Sequence, residues 1–230
     1  MHQTAMSNGK NFFEVHAGAF ENQSSVRVVD VGAQDVNGSL RQVCPSHFEY
    51  IGLDFQKARG VDIVLDDPYS LPLESESVDI VVSSSCFEHS EMFWLSYLEI
   101  LRILKPGGLF YLNAPSDGGN HRYPVDCWRF YPDSGRALRT WARRNGYTTE
   151  VLESYIQLGG GWHDFVCIFI RDEMFIDNFK NRILHQKKDF ENGYLFGGED
   201  ILNLQVRTQN ERSLRARSLR GLVDLIGLRR

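Results

Sequence analysis

Two acidic residues and one glycine stand where apolar runs of this 230-residue chain end. Asp30 and Gly32 lie in the stretch VVDVGAQDVNGSLR, and Asp54 ends the run FEYIGLD. A dinucleotide-binding turn needs two further glycines, because its backbone must come close to a pyrophosphate and its helix must pack closely. Here residues 34–37 carry side chains at those positions, and the next glycine is Gly38. A phosphate-binding turn is therefore not expected.

The same residues suit a ligand that has an amine and a ribose but no phosphate. Asp30 would repel a phosphate, but it can receive an ammonium group. Asp54 ends the second predicted strand, where a carboxylate accepts both hydroxyls of a ribose. Gly32 allows the one close backbone approach that such a ligand requires. An amine, a ribose and no phosphate together indicate S-adenosylmethionine.

A polar and aromatic stretch, DGGNHRYPVDCWRFYPD, occupies residues 117–133. Seventeen residues without regular structure are uncommon unless they are functional. Aromatic faces with carboxylate and guanidinium partners suit a polyhydroxylated, anionic acceptor, although Trp128 and Tyr131 could instead pack on the sheet edge. The residues predicted to bind the substrate are Tyr123, Asp126, Trp128 and Arg129.

Three histidines could act as a general base on such an acceptor. His121 is the first candidate because its loop faces the acceptor, His89 is the second, and His163 is the third. No metal site is expected, because the four cysteines lie far apart and form no C-x-x-C pair. They are expected to be reduced thiols.

Short β-branched runs alternate with helical patterns along the chain. A helix is predicted within residues 11–20, a second between residues 88 and 104 with its Trp94, Tyr97 and Leu101 stripe in the core, and a third N-capped by Asp133. This alternation predicts a doubly wound α/β fold with a mostly parallel, seven-stranded, Rossmann-like sheet. The predicted strands are residues 26–31, 48–54, 61–65, 78–83, 109–114, 151–158 and 164–170.

Four motifs occur in order at predicted strand ends: DVGA (30–33), IGLD (51–54), DPYSLPLESESVDIVVSSSCFEH (67–89) and LKPGGLFYLNAP (104–115). With them the chain resembles the class I S-adenosylmethionine-dependent methyltransferases, in their methyltransferase type 11 branch, from about residue 26 to 170. The resemblance implies S-adenosyl-L-methionine as cofactor. The implied cofactor contacts are Asp30, Gly32 and Ala33 at the methionine part, Asp54 at the ribose with Phe55 as a further contact, Asp67 and Pro68 at the adenine, and Ser84 near the sulfonium.

The resemblance also implies methyl transfer to an oxygen or nitrogen of a small acceptor. The opening D-V-G-x-x-D-V-N-G-S-L-R and the loop H-R-Y-P-x-D-x-W-R-F resemble methyltransferases of polysaccharide or sugar biosynthesis, which favours O-methylation of a sugar, glycan or nucleotide-sugar. An NAD-dependent sugar oxidoreductase is the first alternative, although the missing glycines and the absent Tyr-x-x-x-Lys count against it. A non-catalytic methyltransferase-fold protein that binds a partner is the second.

The bulk properties exclude some classes of protein. A net charge of −5 and a pI near 5.8 argue against a nucleic-acid binder. No apolar run approaches the length of a membrane span, no secretory signal is recognised, and a cytoplasmic protein is expected. Residues 1–171 are predicted to form the methyltransferase domain and residues 172–230 a helical or irregular extension. Its terminal apolar stripe, from Leu219 to Ile226, could cover the domain, join a homodimer or contact a membrane.

Overall fold

A computed structural model describes residues 2–159 and 161–206 of the chain. Its centre is an eight-stranded sheet in the order β3-β2-β1-β4-β5-β7-β6-β8. The strands are β1 Arg27–Val31, β2 Glu49–Asp54, β3 Ile63–Val64, β4 Val78–Ser84, β5 Leu104–Pro115, β6 Glu150–Gln157, β7 Asp164–Ile170 and β8 Glu191–Leu195. The α-helices are α1 Gln3–His16, α2 Phe93–Ile103 and α3 Ser134–Arg144.

Strands β1 to β5 are parallel, and β7 and β8 run antiparallel to their neighbours. Strand β1 pairs with β2 on one side and with β4 on the other, so the chain order reverses between β1 and β4. Doubly wound folds bind ligands beside such a switch point, at the carboxyl ends of the strands. The topology therefore brings the ends of β1, β2, β4 and β5 to one edge of the sheet.

Apolar side chains cover both faces of the sheet. Helices α2 and α3 bury residues such as Tyr97 and Leu138 on one face. On the other face, Phe12 and Phe13 of α1 join Phe179 and Ile183, which lie beyond β7. Successive side chains at residues 80–82 of β4 enter opposite cores, which explains why this run is continuously apolar. The three-layer arrangement agrees with the predicted doubly wound fold.

Three local features differ from the sequence predictions. The sheet has an eighth strand, β8, which was predicted to be helical or irregular extension. Helix α1 spans Gln3–His16 rather than residues 11–20, and a short 3₁₀ turn, Leu40–Gln42, follows β1 where a doubly wound unit usually has a helix. Trp94 is half-buried rather than part of the core.

The carboxylate of Glu153 joins three parts of the chain. Glu153 lies on β6 and is completely buried. It accepts hydrogen bonds from the backbone N–H groups of Ile183 and Leu184, at 2.9 and 3.0 Å, and its Oε1 lies 3.2 Å from Nε2 of His16 in α1. The described part of the extension is thus tied to the sheet, and the boundary at residue 171 stays a prediction. The predicted terminal helix lies outside the described residues.

No helix among residues 2–159 and 161–206 is long and apolar enough to cross a membrane.

Glu153→Ala is expected to lower the free energy of unfolding by roughly 2–5 kcal/mol, because it leaves two buried N–H groups without an acceptor. Urea denaturation followed by circular dichroism measures the change. Glu14→Ala is the matched control, since Glu14 is exposed on α1 and, among the described residues, forms an ion pair with Lys10 alone. That control should shift the free energy by less than about 0.5 kcal/mol. Equal effects of the two substitutions would contradict the role of Glu153.

Candidate functional site

A cleft of about 590 Å³ opens at the carboxyl edge of the sheet. Residues from the ends of β1, β2, β4 and β5 line one side of it, and residues of the loop 116–133 line the other. Six predicted cofactor residues line this cleft: Asp30, Gly32, Ala33, Asp54, Phe55 and Ser84. Both predicted catalytic histidines, His121 and His89, and the predicted substrate residue Tyr123 line it as well.

Gly32 forms the turn after β1 on which the cleft is built. Its φ is +86°, and the N–H groups of Gly32 and Ala33 both donate to the carbonyl of Leu53, at 2.9 and 3.0 Å. A Cβ at Gly32 would lie 2.4 Å from Cβ and Sγ of Cys86. Only glycine combines this backbone conformation with this close approach. The single glycine that the sequence retains is thus the one that the turn requires.

Asp54 presents a carboxylate at the end of β2. It is 6% exposed, and its two oxygens accept the N–H groups of Gln34 and Gln56, each at 3.2 Å. Burial raises the pKa of Asp54, and these backbone hydrogen bonds oppose the rise. The carboxylate is therefore oriented by its own loop while it faces the cleft.

Asp30 is more deeply buried than Asp54, and its ionised form is less stabilised. Its Oδ2 accepts the hydroxyl of Tyr50 at 2.7 Å. Burial raises the pKa of Asp30 to about 7, the Tyr50 hydrogen bond and the Arg41 charge lower it, and the Asp54 charge raises it. A cation bound beside Asp30 would restore its charge, which is the role predicted from the sequence.

A second cavity of about 290 Å³ adjoins the cleft through Gly32, Asp54 and Phe55. Leu65, Pro68, Tyr69 and Phe87 contribute apolar surface to it. Its shape and lining suit a flat aromatic ring, and Pro68 is where a packing contact with adenine was predicted.

Asp67 lies away from these cavities. Its side chain is exposed and lines neither the cleft nor the adjoining cavity. Its Oδ1 accepts the N–H of Tyr69 at 2.9 Å, as aspartates commonly do in turns. The predicted adenine contact of Asp67 is not formed in this geometry.

Two buried polar groups at the end of β4 and β5 have no partner among the described residues. They are Oγ of Ser84 and Nδ2 of Asn113, which lie at paired positions of the sheet. Ser84 lines the cleft. Buried polar atoms are normally hydrogen-bonded, so an unpaired hydroxyl at a cleft wall fits a bound polar group. The cradle at Gly32 and this hydroxyl both fit the cofactor that the resemblance implies.

The two candidate histidines lie together. Their ring centroids are 4.9 Å apart, although 31 positions of the sequence separate them. Nδ1 of His89 lies 2.5 Å from the carbonyl of Val125, and burial is the main cause of its lowered pKa. His163, the third candidate, does not line the cleft, and its Nδ1 lies 3.9 Å from Asp117.

Asp126 and Arg129 do not face the cleft, contrary to the prediction that they bind substrate. The Arg129 guanidinium donates two hydrogen bonds to the Asp126 carboxylate, at 2.6 and 2.8 Å. That pairing holds the pKa of Asp126 well below its usual range. Asp126 Oδ2 also accepts the backbone N–H of His121 at 2.7 Å and lies 3.3 Å from its Nδ1. The pair braces the loop and orients His121.

Trp128 also has a structural position rather than the predicted substrate contact. Its Nε1–H donates to the carbonyl of Ser90 at 2.9 Å, and its ring packs edge-on against Phe93 and Trp94. It lines neither cavity. The alternative considered for this residue, packing at the sheet edge, is the one observed.

Several lining residues were not predicted. Glu88 precedes His89 and is 1% exposed, and the Trp162 ring is tilted against the His121 ring with centroids 4.4 Å apart. His2 joins them from the chain's start, where its Nε2 lies 2.9 Å from Oδ2 of the buried Asp164. Gly38 lines the cleft too. Only the pair Glu88–His89, which follows a predicted strand, carried a usable sequence signal.

Comparisons with known proteins agree with this architecture. A family profile described as a methyltransferase domain matches residues 22–112. A Mycobacterium ulcerans protein described as an uncharacterized methyltransferase is 36% identical over 120 residues, covering 51% of this chain and 42% of the relative. Another M. ulcerans relative, phthiotriol/phenolphthiotriol dimycocerosates methyltransferase 1, is 32% identical over 102 residues, covering 37% of this chain and 36% of its own. The chain thus spans less than half the length of these curated relatives.

A solved structure is similar in fold. It is the Burkholderia thailandensis 1,6-didemethyltoxoflavin-N1-methyltransferase, with bound 1,6-didemethyltoxoflavin and S-adenosylhomocysteine. The TM-score is 0.54 at 15% identity, and the match covers 74% of this chain and 80% of the other. At that identity the likeness concerns the fold alone. Residues 22–112 thus match a methyltransferase domain, and the doubly wound sheet with a cleft at its carboxyl edge is similar in fold to a solved methyltransferase.

Proposed function

We propose that the protein transfers a methyl group from S-adenosylmethionine to a hydroxyl of a small sugar, glycan or nucleotide-sugar. The observation that carries this proposal is one continuous cleft. It has Asp30, Gly32 and Asp54 on one side and His89 and His121 on the other. A methyltransferase needs this arrangement, because it must hold the methyl donor and the acceptor oxygen in line.

The cofactor half of the cleft supports a specific assignment of contacts. Asp30 would receive the ammonium group of the methionine part, next to the backbone turn at Gly32. Asp54 would accept the ribose hydroxyls, and the adjoining cavity with Phe55 and Pro68 would hold the adenine. Bound there, S-adenosylmethionine supplies an electrophilic methyl group on a positively charged sulfur.

The acceptor half has features that suit an anionic, hydroxylated ligand. Arg122 lines the cleft, and its guanidinium makes no ion pair with residues 2–159 or 161–206. Tyr123 and Trp162 add aromatic surface, of the kind on which sugar rings pack. An unpaired guanidinium favours a ligand with phosphate or carboxylate, and a nucleotide-sugar meets both requirements.

The acceptor hydroxyl must lose its proton as it attacks, and His121 is proposed to accept that proton. Nδ1 of His121 lies 3.3 Å from the ionised Asp126 and 3.5 Å from Nη2 of Arg129, and Nε2 is proposed as the basic nitrogen. Asp126 acts here as a positioning residue, since it contacts His121 and Arg129 but not the cleft. General bases of this kind accelerate methyl transfer by removing charge build-up on the attacking oxygen.

The proposal is tested with purified protein and methyl-labelled S-adenosylmethionine. Calorimetry measures cofactor binding, and label transfer is followed to hexoses, nucleotide-sugars and long-chain alcohols. We expect cofactor binding and labelling of a nucleotide-sugar. Labelling of long-chain alcohols alone would show that the acceptor is a long-chain alcohol and not a sugar. Absence of cofactor binding would favour a non-catalytic, partner-binding protein.

Asp54→Ala is expected to weaken S-adenosylmethionine binding roughly 10- to 100-fold, because charge-assisted hydrogen bonds to a ribose contribute about 1.5–3 kcal/mol. Titration calorimetry measures the affinity, and circular dichroism checks the fold. Asp54→Asn keeps an acceptor oxygen and should lose less affinity. Unchanged affinity in the folded alanine variant would rule out the ribose contact.

Cofactor affinity is expected to depend on pH through Asp30. The ionised form binds the ammonium group, so affinity is greatest above the free-protein pKa of about 7 and falls by up to about tenfold per pH unit below it. Calorimetry between pH 5.5 and 7.5 tests this range, in which the cofactor amine stays protonated. Charged or titratable groups that face Asp30 are Arg41, Cys44, Tyr50, Asp54 and Cys86.

Asp30→Asn is the control for that measurement. This variant should bind the cofactor more weakly at pH 7.5. Its affinity should lose most of the dependence on pH and keep only the part due to Asp54. A profile identical to that of the unaltered protein would show that another group is responsible.

His121→Ala is expected to lower turnover about 100-fold or more while cofactor affinity stays unchanged, because His121 lies on the acceptor side. Turnover with the identified acceptor and calorimetry with the cofactor measure the two effects. His185→Ala, an exposed histidine outside the cleft, is the control. Retained turnover in His121→Ala, with loss in His89→Ala, would assign the base to His89 instead.

A further inference from the structure

Glu88, His89 and His121 form a cluster at the acceptor side of the cleft. Each offers one ligand atom to a common point, and these atoms lie within 4.8 Å of one another. Oε1 of Glu88 is 3.7 Å from Nε2 of His89. All three residues line the cleft. We infer that this cluster binds one divalent transition-metal ion, such as Zn²⁺ or Fe²⁺, through two imidazole nitrogens and one carboxylate oxygen.

The first support is the state of Glu88. Its carboxylate is buried at the cleft wall, and Oε2 has no hydrogen-bond partner among the described residues. A buried carboxylate without a partner is unfavourable, and buried charges are normally paired or coordinate a metal.

The second support is the way in which both imidazoles are held. Nδ1 of His89 lies 2.5 Å from the carbonyl of Val125, which can only accept, so the proton is on Nδ1 and Nε2 has the lone pair. Metal-bound histidines typically donate their other N–H to a carbonyl or a carboxylate, and His89 does so. Nδ1 of His121 lies 3.3 Å from the Asp126 carboxylate and 3.5 Å from Nη2 of Arg129, so this pair holds the His121 ring in place.

The loop 116–133 also holds Glu88 and His121 close to each other. The carbonyl of Glu88 accepts the N–H groups of Cys127 and Trp128, at 2.7 and 3.2 Å. Glu88 and His121 are thereby joined through a short, hydrogen-bonded path. Adjacent ligands of a first-row ion lie roughly 3 Å apart, so the atoms need to close by about 1–2 Å through side-chain rotation.

Two histidines and one carboxylate leave several coordination positions open, and these face the cleft. The role of the ion rests on the proposed function. The acceptor hydroxyl would bind the ion and release its proton to solvent, and the resulting alkoxide would attack the methyl carbon. One C–O bond forms and one C–S bond breaks, giving the methyl ether and S-adenosylhomocysteine. With Nε2 on the ion, His121 would be a ligand instead of the general base proposed above, and an unchanged rate after chelator treatment would leave it as the base.

The cysteine pattern could not reveal this site, because no thiol belongs to the ligand set. For that reason, no metal site was predicted from the sequence. His89 follows β4 and His121 lies in the loop after β5, so the two residues come together only in the folded chain. Their spacing in the sequence therefore does not predict a metal site.

The binding test uses full-length protein that has been treated with chelator and dialysed. Co²⁺ is titrated and followed by its visible absorption, and Zn²⁺ is titrated by calorimetry. We expect one ion per chain. Glu88→Gln, which preserves the side-chain shape, and His121→Ala, on the more exposed loop, should each lower the Co²⁺ affinity by at least about tenfold. His185→Ala should bind as the unaltered protein does.

Two results would overturn the inference: no cobalt absorption band with no zinc heat, or equal affinities in all variants. S-adenosylmethionine binding is measured on the same samples, so a failure of the proposed function is seen separately from a failure of metal binding. Chelator treatment should also abolish methyl transfer, and Zn²⁺ or Fe²⁺ should restore it. An unchanged rate without the ion would overturn its role with the acceptor.

Discussion

The site depends on the close contact of three strand ends at Gly32. Two successive N–H groups, of Gly32 and Ala33, share the carbonyl of Leu53, which fixes the end of β1 against the end of β2. The missing side chain at Gly32 lets Cys86, beyond β4, approach the same turn. The backbone makes these contacts, and residue 32 has no side chain that would keep the strand ends apart. The contacts therefore fix the distance between Asp30 and Asp54. The cofactor half of the cleft follows from that distance.

The loop after Gly32 shows how a turn without the usual glycines keeps its shape. The Asp54 carboxylate accepts the N–H of Gln34, and the Asp35 carboxylate accepts the N–H of Gly38 at 2.8 Å. These side chains satisfy backbone groups that a helix would otherwise satisfy, so the chain can do without a regular helix after β1. The same bonds keep Gln34 and residues 36–38 at the cleft wall, close to Asp30 and Asp54.

The parts of the structure that the sequence predicted well are those in which the burial of apolar side chains determines the secondary structure. The central strands were recognised because β1, β4 and β5 are buried on both faces, and their terminal polar residues then had to meet at one edge. Strand β8 was missed because ENGYL is a short edge strand without a continuous apolar run. Asp126 and Arg129 pair with each other in the fold, which the sequence could not indicate, because an aspartate and an arginine three residues apart look the same whether they bind a ligand or each other. Glu88 was overlooked because its burial depends on the loop that covers it.

The two halves of the cleft differ in how they are built, and this difference bears on specificity. The cofactor half comes from four strand ends whose spacing is set by the sheet. The acceptor half comes mainly from one loop, held by Asp126–Arg129 and by the N–H groups of Cys127 and Trp128 on the carbonyl of Glu88. These bonds orient His121 without engaging Arg122 or Tyr123, which remain directed at the cleft. In the proposed function, substitutions at those two positions would alter acceptor choice without disturbing the braced histidine, as is typical of binding loops on a rigid scaffold.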